Sequence, residues 1–357
     1  NKKMETDINK IIPNQKLKIC VIGSGSFGTA LGTAAARSGH DVCIICRNKE
    51  VIEEINTQHT NKKYFPNEDI KLPLNLRAAF GFEEIKDCNM IIHAIPVQVS
   101  IDFMKKIIDF LPNNIPYLIA SKGILLKEKK FFSEIWAEIF PKEKNIKHVI
   151  LSGPSFAIEI MKEYPTCVVA ACKEIEIAEK VQEALSNESF RIYSTDDVVG
   201  VEVGGAIKNV IAICAGLVEG LGYKYNTLSA LVTRGVFELS QFSKFIGGKK
   251  ETLNGLAGIG DIMLSSFGGL SRNKKVGLAM AKGESIHDII EKAIEVAEGV
   301  PTMKVLHDII VENHLNMPIC KCIYSYAYEN LSKEEAIKIL MLRSLEHEDE
   351  RDIIENK

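Results

Sequence analysis

The chain has 357 residues, 46% of them hydrophobic and 25% charged, with a formal net charge of −3. At about 150 residues per domain this suggests two globular domains with sizeable cores, and so small a net charge gives no overall field to hold a nucleic-acid backbone or an anionic membrane surface. Neither nucleic acid nor a membrane is therefore expected as a partner, and any anion site must be local.

Residues 1–7 are polar and charged with no apolar run behind them, so no secretory signal is expected, and residues 355–357 are not a peroxisomal tripeptide. Glycines, Lys208 and Glu219 interrupt the best apolar runs, which fall short of the roughly 18 residues of a membrane helix. Nine cysteines, an odd and scattered set, point to reduced thiols and a cytoplasmic protein. Cys43 with Cys46, and Cys320 with Cys322, read as structural thiols because no second pair lies at zinc-finger distance.

In chain order, 17–22 is a short apolar strand that stops at glycine, 27–37 a helix of small residues, 41–46 a second strand and 49–56 a short helix. A polar stretch, 57–75, follows. Further apolar strands fall at 90–95, 117–121, 148–152, 167–171 and 190–193, with helical patterns at 97–110, 128–140 and 174–185. Alternation of this kind predicts a parallel sheet with helices on both faces. Strand signals then stop. The segments 201–219, 227–245, 272–281, 285–297, 303–312 and 333–341 carry apolar residues at helical spacing.

Between the first strand and first helix stand Gly23, Ser24, Gly25, Ser26, Phe27 and Gly28. GxGxxG is a weak signal alone and a strong one in this setting. The first glycine makes the tight turn, the second admits a pyrophosphate, and the third lets helix and sheet pack closely at a helix N-terminus that favours anions. The expected fold is α/β: a doubly wound, Rossmann-like, mostly parallel sheet domain that binds a dinucleotide over 1–196, followed by an all-helical substrate and catalytic domain over 197–357. The acidic residue that usually reads the adenine ribose belongs at the end of the second strand, where this chain has Arg47. Arginine tolerates a 2′-phosphate, which keeps NADP beside NAD as a cofactor; its alternative reading is a solvated charge at a strand end.

Lys208 lies inside an otherwise apolar helix next to Asn209, with Gly204, Gly205, Ile211 and Ala212 one turn away. Desolvation would lower its pKa towards the range useful for acid–base work; alternatively it would snorkel to solvent. Lys122 follows the strand 117–121, at the carboxyl edge where doubly wound sheets bind ligands. Two lysines suit an anionic carbonyl substrate. The turn of Ser152, Gly153, Pro154 and Ser155 leaves another strand, and Gly260-Asp261 and Ser271-Arg272-Asn273 bring together a carboxylate and an arginine fork matched to phosphate.

Together these motifs, with Ile55 to His59, Tyr64-Phe65-Pro66, Asn226-Thr227 and Glu298-Gly299, resemble the NAD-dependent glycerol-3-phosphate dehydrogenase family over roughly residues 17 to 340. The resemblance implies hydride transfer between NADH and dihydroxyacetone phosphate, a small phosphorylated substrate, in a cytoplasmic homodimer. It places Ser26 and Phe27 at the cofactor phosphates, Ala157, Val296 and Glu298 at the nicotinamide half, and Arg272 between cofactor and substrate. Lys122, Gly153, Ser155, Ser271 and Asn273 would hold the substrate, and Lys208 would be the acid–base residue, positioned by Asp261, with Lys122 and Asn209 completing the catalytic set. Several family members have threonine where this chain has Ser265, which keeps the hydroxyl. The rival is a β-hydroxyacid dehydrogenase of the same architecture, often marked by Gly-x-x-x-Lys-x-x-x-Asn; here the last position is Ala212. A non-catalytic NADH-binding protein on the same fold would be expected to lack Lys208 or Asp261.

Overall fold

The computed structural model describes residues 15–293 and 295–342; the polar segment 1–7 and the tail 355–357 read above lie outside them. The chain forms two compact units. The first comprises the residues up to Ser121 together with Ser133–Val198, and the second comprises Lys122–Phe132 and the residues from Val199 onward. Segment 122–132, assigned by chain order to the first domain, thus belongs to the second, because Ile124 and Phe131 are buried in that unit's apolar core.

In the first unit, β1 (Lys18–Ile22), β2 (Asp41–Ile45), β3 (Leu76–Ala79), β4 (Met90–His93), β5 (Pro116–Ile119), β6 (Lys147–Ser152), β7 (Thr166–Ala171) and β8 (Phe190–Thr195) form one sheet in the order β3-β2-β1-β4-β5-β6-β7-β8. All pairings are parallel except β6 with β7. The central strands β1, β4 and β5 are mostly apolar and, apart from Lys18, buried, as strands covered on both faces must be. Chain order reverses between β1 and β4, the switch point at which such sheets bind ligands. Helix α1 (Ser26–Arg37) buries Gly28 to Ala36, and these small side chains let it lie directly on Val21, Val42 and Ile44. The other helices of this unit are α2 (Lys49–Gln58), α3 (Val97–Ile107), α4 (Phe132–Ile139), α5 (Ala157–Met161) and α6 (Ile175–Leu185).

Strand β3 was not legible in the sequence. It is a four-residue edge strand with only alternate side chains buried, and the Asn56 side chain holds it by donating to the Ala78 carbonyl at 2.9 Å and accepting from the Ala78 amide at 2.8 Å. The pattern at 128–140 begins too early, since Lys129 has φ +53° and the helix starts at Phe132.

The second unit contains α7 (Val198–Gly220), α8 (Tyr225–Phe245), α9 (Asp261–Phe267), α10 (Arg272–Ala281), α11 (Ile286–Lys292), α12 (Gly299–Glu312), α13 (Pro318–Tyr328) and α14 (Lys333–Met341). Lys208 and Glu219 do not interrupt α7, which is long and apolar enough to cross a membrane by length and composition. Its 18-residue apolar window is 89% buried inside the protein, however, so its hydropathy is that of a core helix. The predicted helix 285–297 ends at Lys292, where Ala293 turns extended; residue 294 lies outside the described set. Helices α9 and α13 were missed, α9 because it has only seven residues. At α13, buried Glu238 of α8 accepts from the amides of Ile319 (2.8 Å) and Cys320 (3.2 Å), satisfying the helix start.

Close packing of α7 determines what faces it. A Cβ at Gly204 would collide with the Ala257 carbonyl, and Cβ atoms at Gly216 and Gly277 would collide with the carbonyls of Lys274 and Ile213. These glycines therefore allow the turn before α9, and α10 itself, to press backbone to backbone against α7.

Candidate active site

In the first unit the three glycines behave as their spacing predicts. Gly23 has φ +107°, and a Cβ there would sit 2.7 Å from the Ala94 carbonyl oxygen. Gly28 faces the Gly23 carbonyl with no room for a Cβ, whereas Gly25 has open space around it. Gly25 is also the N-cap of α1 and has no side chain to occupy that helix end, so the cradle fits a dinucleotide pyrophosphate approaching the amides of the helix start. The turn has a support that sequence reasoning missed. Buried Asn61, in the stretch read as a polar loop, donates to the Ser24 carbonyl at 3.1 Å and to Thr29 Oγ1 at 2.9 Å.

Arg47 is exposed just beyond β2. Next to it, Asn48 caps α2 by accepting from the amides of Glu50 and Val51. The neighbouring thiol of Cys46 donates to Ser24 Oγ at 3.0 Å. At the carboxyl end of β6, Gly153 has φ +135° and lies against Val168, so the turn requires glycine there. Ser155 Oγ donates to the Gly153 carbonyl at 2.9 Å, and Ala157 opens α5.

The second unit gathers the charged residues. Lys208 Nζ on α7 donates to Asp261 Oδ1 at 2.8 Å and to Ser265 Oγ at 2.8 Å. Lys122 Nζ donates to the other carboxylate oxygen, Oδ2, at 2.6 Å. One carboxylate is thus shared by two ammonium groups, with the Asp261 side chain 2% exposed and those of Lys208 and Lys122 12% and 14%. Asp261 and Ser265 stand one turn apart on α9 and so face the same lysine.

Burial drives the Lys208 pKa down to about 8, with the nearby charges of Lys122 and Arg272 acting in the same direction and Asp261 opposing them. For Asp261, burial alone would raise the carboxyl, but the two lysines outweigh it and hold it below its ordinary value. The expectation of a snorkelling lysine is thereby set aside. Lys208 is turned inward, paired, and poised near neutrality.

Asn209 and Asn273, both expected in the site, are linked to each other through their amides. Asn209 Nδ2 donates to the Lys122 carbonyl (3.1 Å), Asn273 Nδ2 donates to Asn209 Oδ1 (2.8 Å), and Asn273 Oδ1 accepts from the Gly299 amide (2.9 Å). This chain of amides ties the Lys122 segment, α7, α10 and the start of α12 together, and a Cβ at Gly299 would strike Asn273 and the Asn209 carbonyl. Glu298 precedes α12 at the same place, while Val296 is 46% exposed. Ser271 is the N-cap of α10 and accepts from the Lys274 amide. Arg272 follows it, 47% exposed, with Glu295 3.5 Å away.

These two halves, a dinucleotide cradle and a buried lysine–aspartate–lysine cluster beside an arginine at a helix start, can be compared with known proteins. Two sequence models, described as the N-terminus and the C-terminus of NAD-dependent glycerol-3-phosphate dehydrogenase, match residues 18–178 and 197–338. The chain belongs to this family. A relative from Leptospira biflexa named glycerol-3-phosphate dehydrogenase (NAD(P)+) is 41% identical over 333 residues, 93% of this chain and 99% of its own length. The crystal structure of a glycerol-3-phosphate dehydrogenase from Coxiella burnetii has a TM-score of 0.84 at 28% identity, covering 92% of this chain and 99% of that one. The yeast enzyme of the same name gives 0.78 at 25% identity, covering 92% and 100%.

Proposed function

We propose that this chain interconverts dihydroxyacetone phosphate and sn-glycerol 3-phosphate with NADH or NADPH. The observation that carries this reading is the buried lysine of pKa about 8, hydrogen-bonded to Asp261 and Ser265, in a chain of this family. When bound, the cofactor supplies or accepts the hydride. As negative charge develops on the carbonyl oxygen, the Lys208 ammonium stabilises it and then donates a proton to it; in the opposite direction neutral Lys208 takes the alcohol proton. Asp261 fixes the direction of Nζ, and Ser265 accepts its second hydrogen bond. Lys122 keeps the carboxylate charged and leaves the cluster with net positive charge, which favours an anionic substrate. The reading includes a cytoplasmic homodimer; an odd, scattered set of nine cysteines suits a reducing compartment.

The direct test is NADH oxidation followed by absorbance, with dihydroxyacetone phosphate and with unphosphorylated dihydroxyacetone. Rapid oxidation with the first and very slow oxidation with the second is expected; comparable rates would remove the phosphate site. Arg272→Lys keeps the charge but loses the planar fork, and is expected to lower kcat/KM for the phosphorylated ketone. Unchanged kcat/KM in that variant would take Arg272 out of phosphate recognition.

Cofactor choice is assigned to Arg47, since no acidic residue ends β2. Arg47→Asp should raise the KM for NADPH more than that for NADH, because the new carboxylate repels a 2′-phosphate and accepts from a 2′-hydroxyl. Equal changes with both cofactors would separate Arg47 from the adenosine end.

A further inference from the structure

We propose that Lys274 is a positioning residue for substrate-phosphate selectivity, holding the start of α10 in place through four attachments; the proposal rests on the reading of Arg272 as the phosphate grip. Lys274 comes two residues after Arg272, and its side chain is 6% exposed. Its Nζ pairs with Glu219 Oε2 at 2.8 Å, near the end of α7, and donates to the Phe267 carbonyl at 3.3 Å, the last residue of α9. Its own carbonyl is pressed against Gly216 of α7 so closely that no side chain fits there, and its amide donates to Ser271 Oγ, closing the helix cap.

One residue therefore joins the end of α9, the end of α7 and the first turn of α10. The link between α9 and α10 contains Gly268 and Gly269 and has little stiffness of its own. The buried ammonium has two oxygen partners, Glu219 and the Phe267 carbonyl, which together define its position, and removing one leaves a buried charge under-compensated. Two other devices complete the frame. The Asn273–Asn209 bond fixes the next residue on α10, and α9 carries Asp261 and Ser265. The hydrogen bonds and ion pair of Lys274 go to Glu219, Phe267 and Ser271 and not to the lysine–aspartate cluster. Its effect should fall on where the Arg272 fork stands, and a planar fork gripping phosphate oxygens bidentately tolerates little displacement.

The test compares Lys274→Met, Lys274→Arg and Arg272→Ala with the parent enzyme, measuring kcat/KM for dihydroxyacetone phosphate and for dihydroxyacetone, and KM for NADH. Lys274→Met is expected to reduce the preference for the phosphorylated ketone by about tenfold or more, the scale of an active-site displacement, with the KM for NADH within about twofold. Lys274→Arg should restore most of the preference, since a cation of similar reach is kept. Equal loss with both ketones, or an unchanged preference, overturns the proposal. Arg272→Ala separates the two layers: if it leaves the preference intact, the phosphate reading itself fails. Should Lys274→Met not fold, Glu219→Gln removes the anionic partner and is read by the same ratio, a lowered preference supporting the proposal and an unchanged one overturning it.

Discussion

Replacing Lys208 with alanine is expected to lower turnover with dihydroxyacetone phosphate by about 10²–10⁴, the range of a lost general acid, while the affinity for NADH is largely kept. The cofactor cradle at Gly23, Gly25 and Gly28 belongs to the first unit and Lys208 to the second, so the cradle survives the substitution. From the sequence, Lys208→Ala should do little to folding, because the lysine stands among Gly204, Gly205 and Ala212. The structure corrects that expectation. Lys208 is one of two cations neutralising buried Asp261, and its loss leaves the carboxylate with Lys122 alone, so some loss of stability accompanies the loss of rate. Thermal melting measured beside kcat distinguishes the two effects. A folded Lys208→Ala protein with near-normal turnover would contradict the assignment and make Lys122 the leading acid–base candidate.

The second large effect is expected at Asp261. Asp261→Asn leaves two ammonium groups in a buried site without their shared counter-ion, and breaking a buried ion pair from one side costs about 3–5 kcal/mol. The chemical consequence follows from the same electrostatics. Asp261 is what opposes the burial of Lys208, so without it the lysine pKa falls below about 8 and less of the acid form remains at neutral pH. Denaturant unfolding should show the lost stability, and ketone reduction at neutral pH should fall with it. An Asp261→Asn protein as stable and active as the parent would mean that the cluster is neither coupled nor catalytic. The substitution is therefore informative on both counts.

How much of this was legible beforehand differs from residue to residue. The glycine turn was readable at Gly23 and Gly28, each of which answers a local steric demand that spacing encodes. Lys208 stood out as a charge in an apolar helix, and its lowered pKa followed from burial. Its partners did not follow from local spacing: Asp261 and Ser265 lie more than fifty residues away, and they came from the family resemblance. That Lys122 shares the same carboxylate depends on segment 122–132 joining the second unit, which chain order does not reveal. The bonds that join Asn209, Asn273 and Gly299 were not legible for a related reason: an asparagine in a motif can meet a ligand or another amide equally well, and spacing does not show which neighbours it packs against. Edge strand β3 was illegible because half its side chains face water, and Asn61 because it works through a carbonyl in a distant turn.

If Lys208 exchanges a proton with the substrate oxygen, as proposed, kcat/KM measured against pH in both directions carries its titration. Reduction of dihydroxyacetone phosphate needs the protonated lysine, so its rate should fall as pH rises through about 8; oxidation of sn-glycerol 3-phosphate needs the neutral form and should rise through the same pH. The residual activity of Lys208→Ala should lack that limb in either direction. Retention of the limb in the alanine variant, or the same sign of pH dependence in both directions of the parent, would contradict the account.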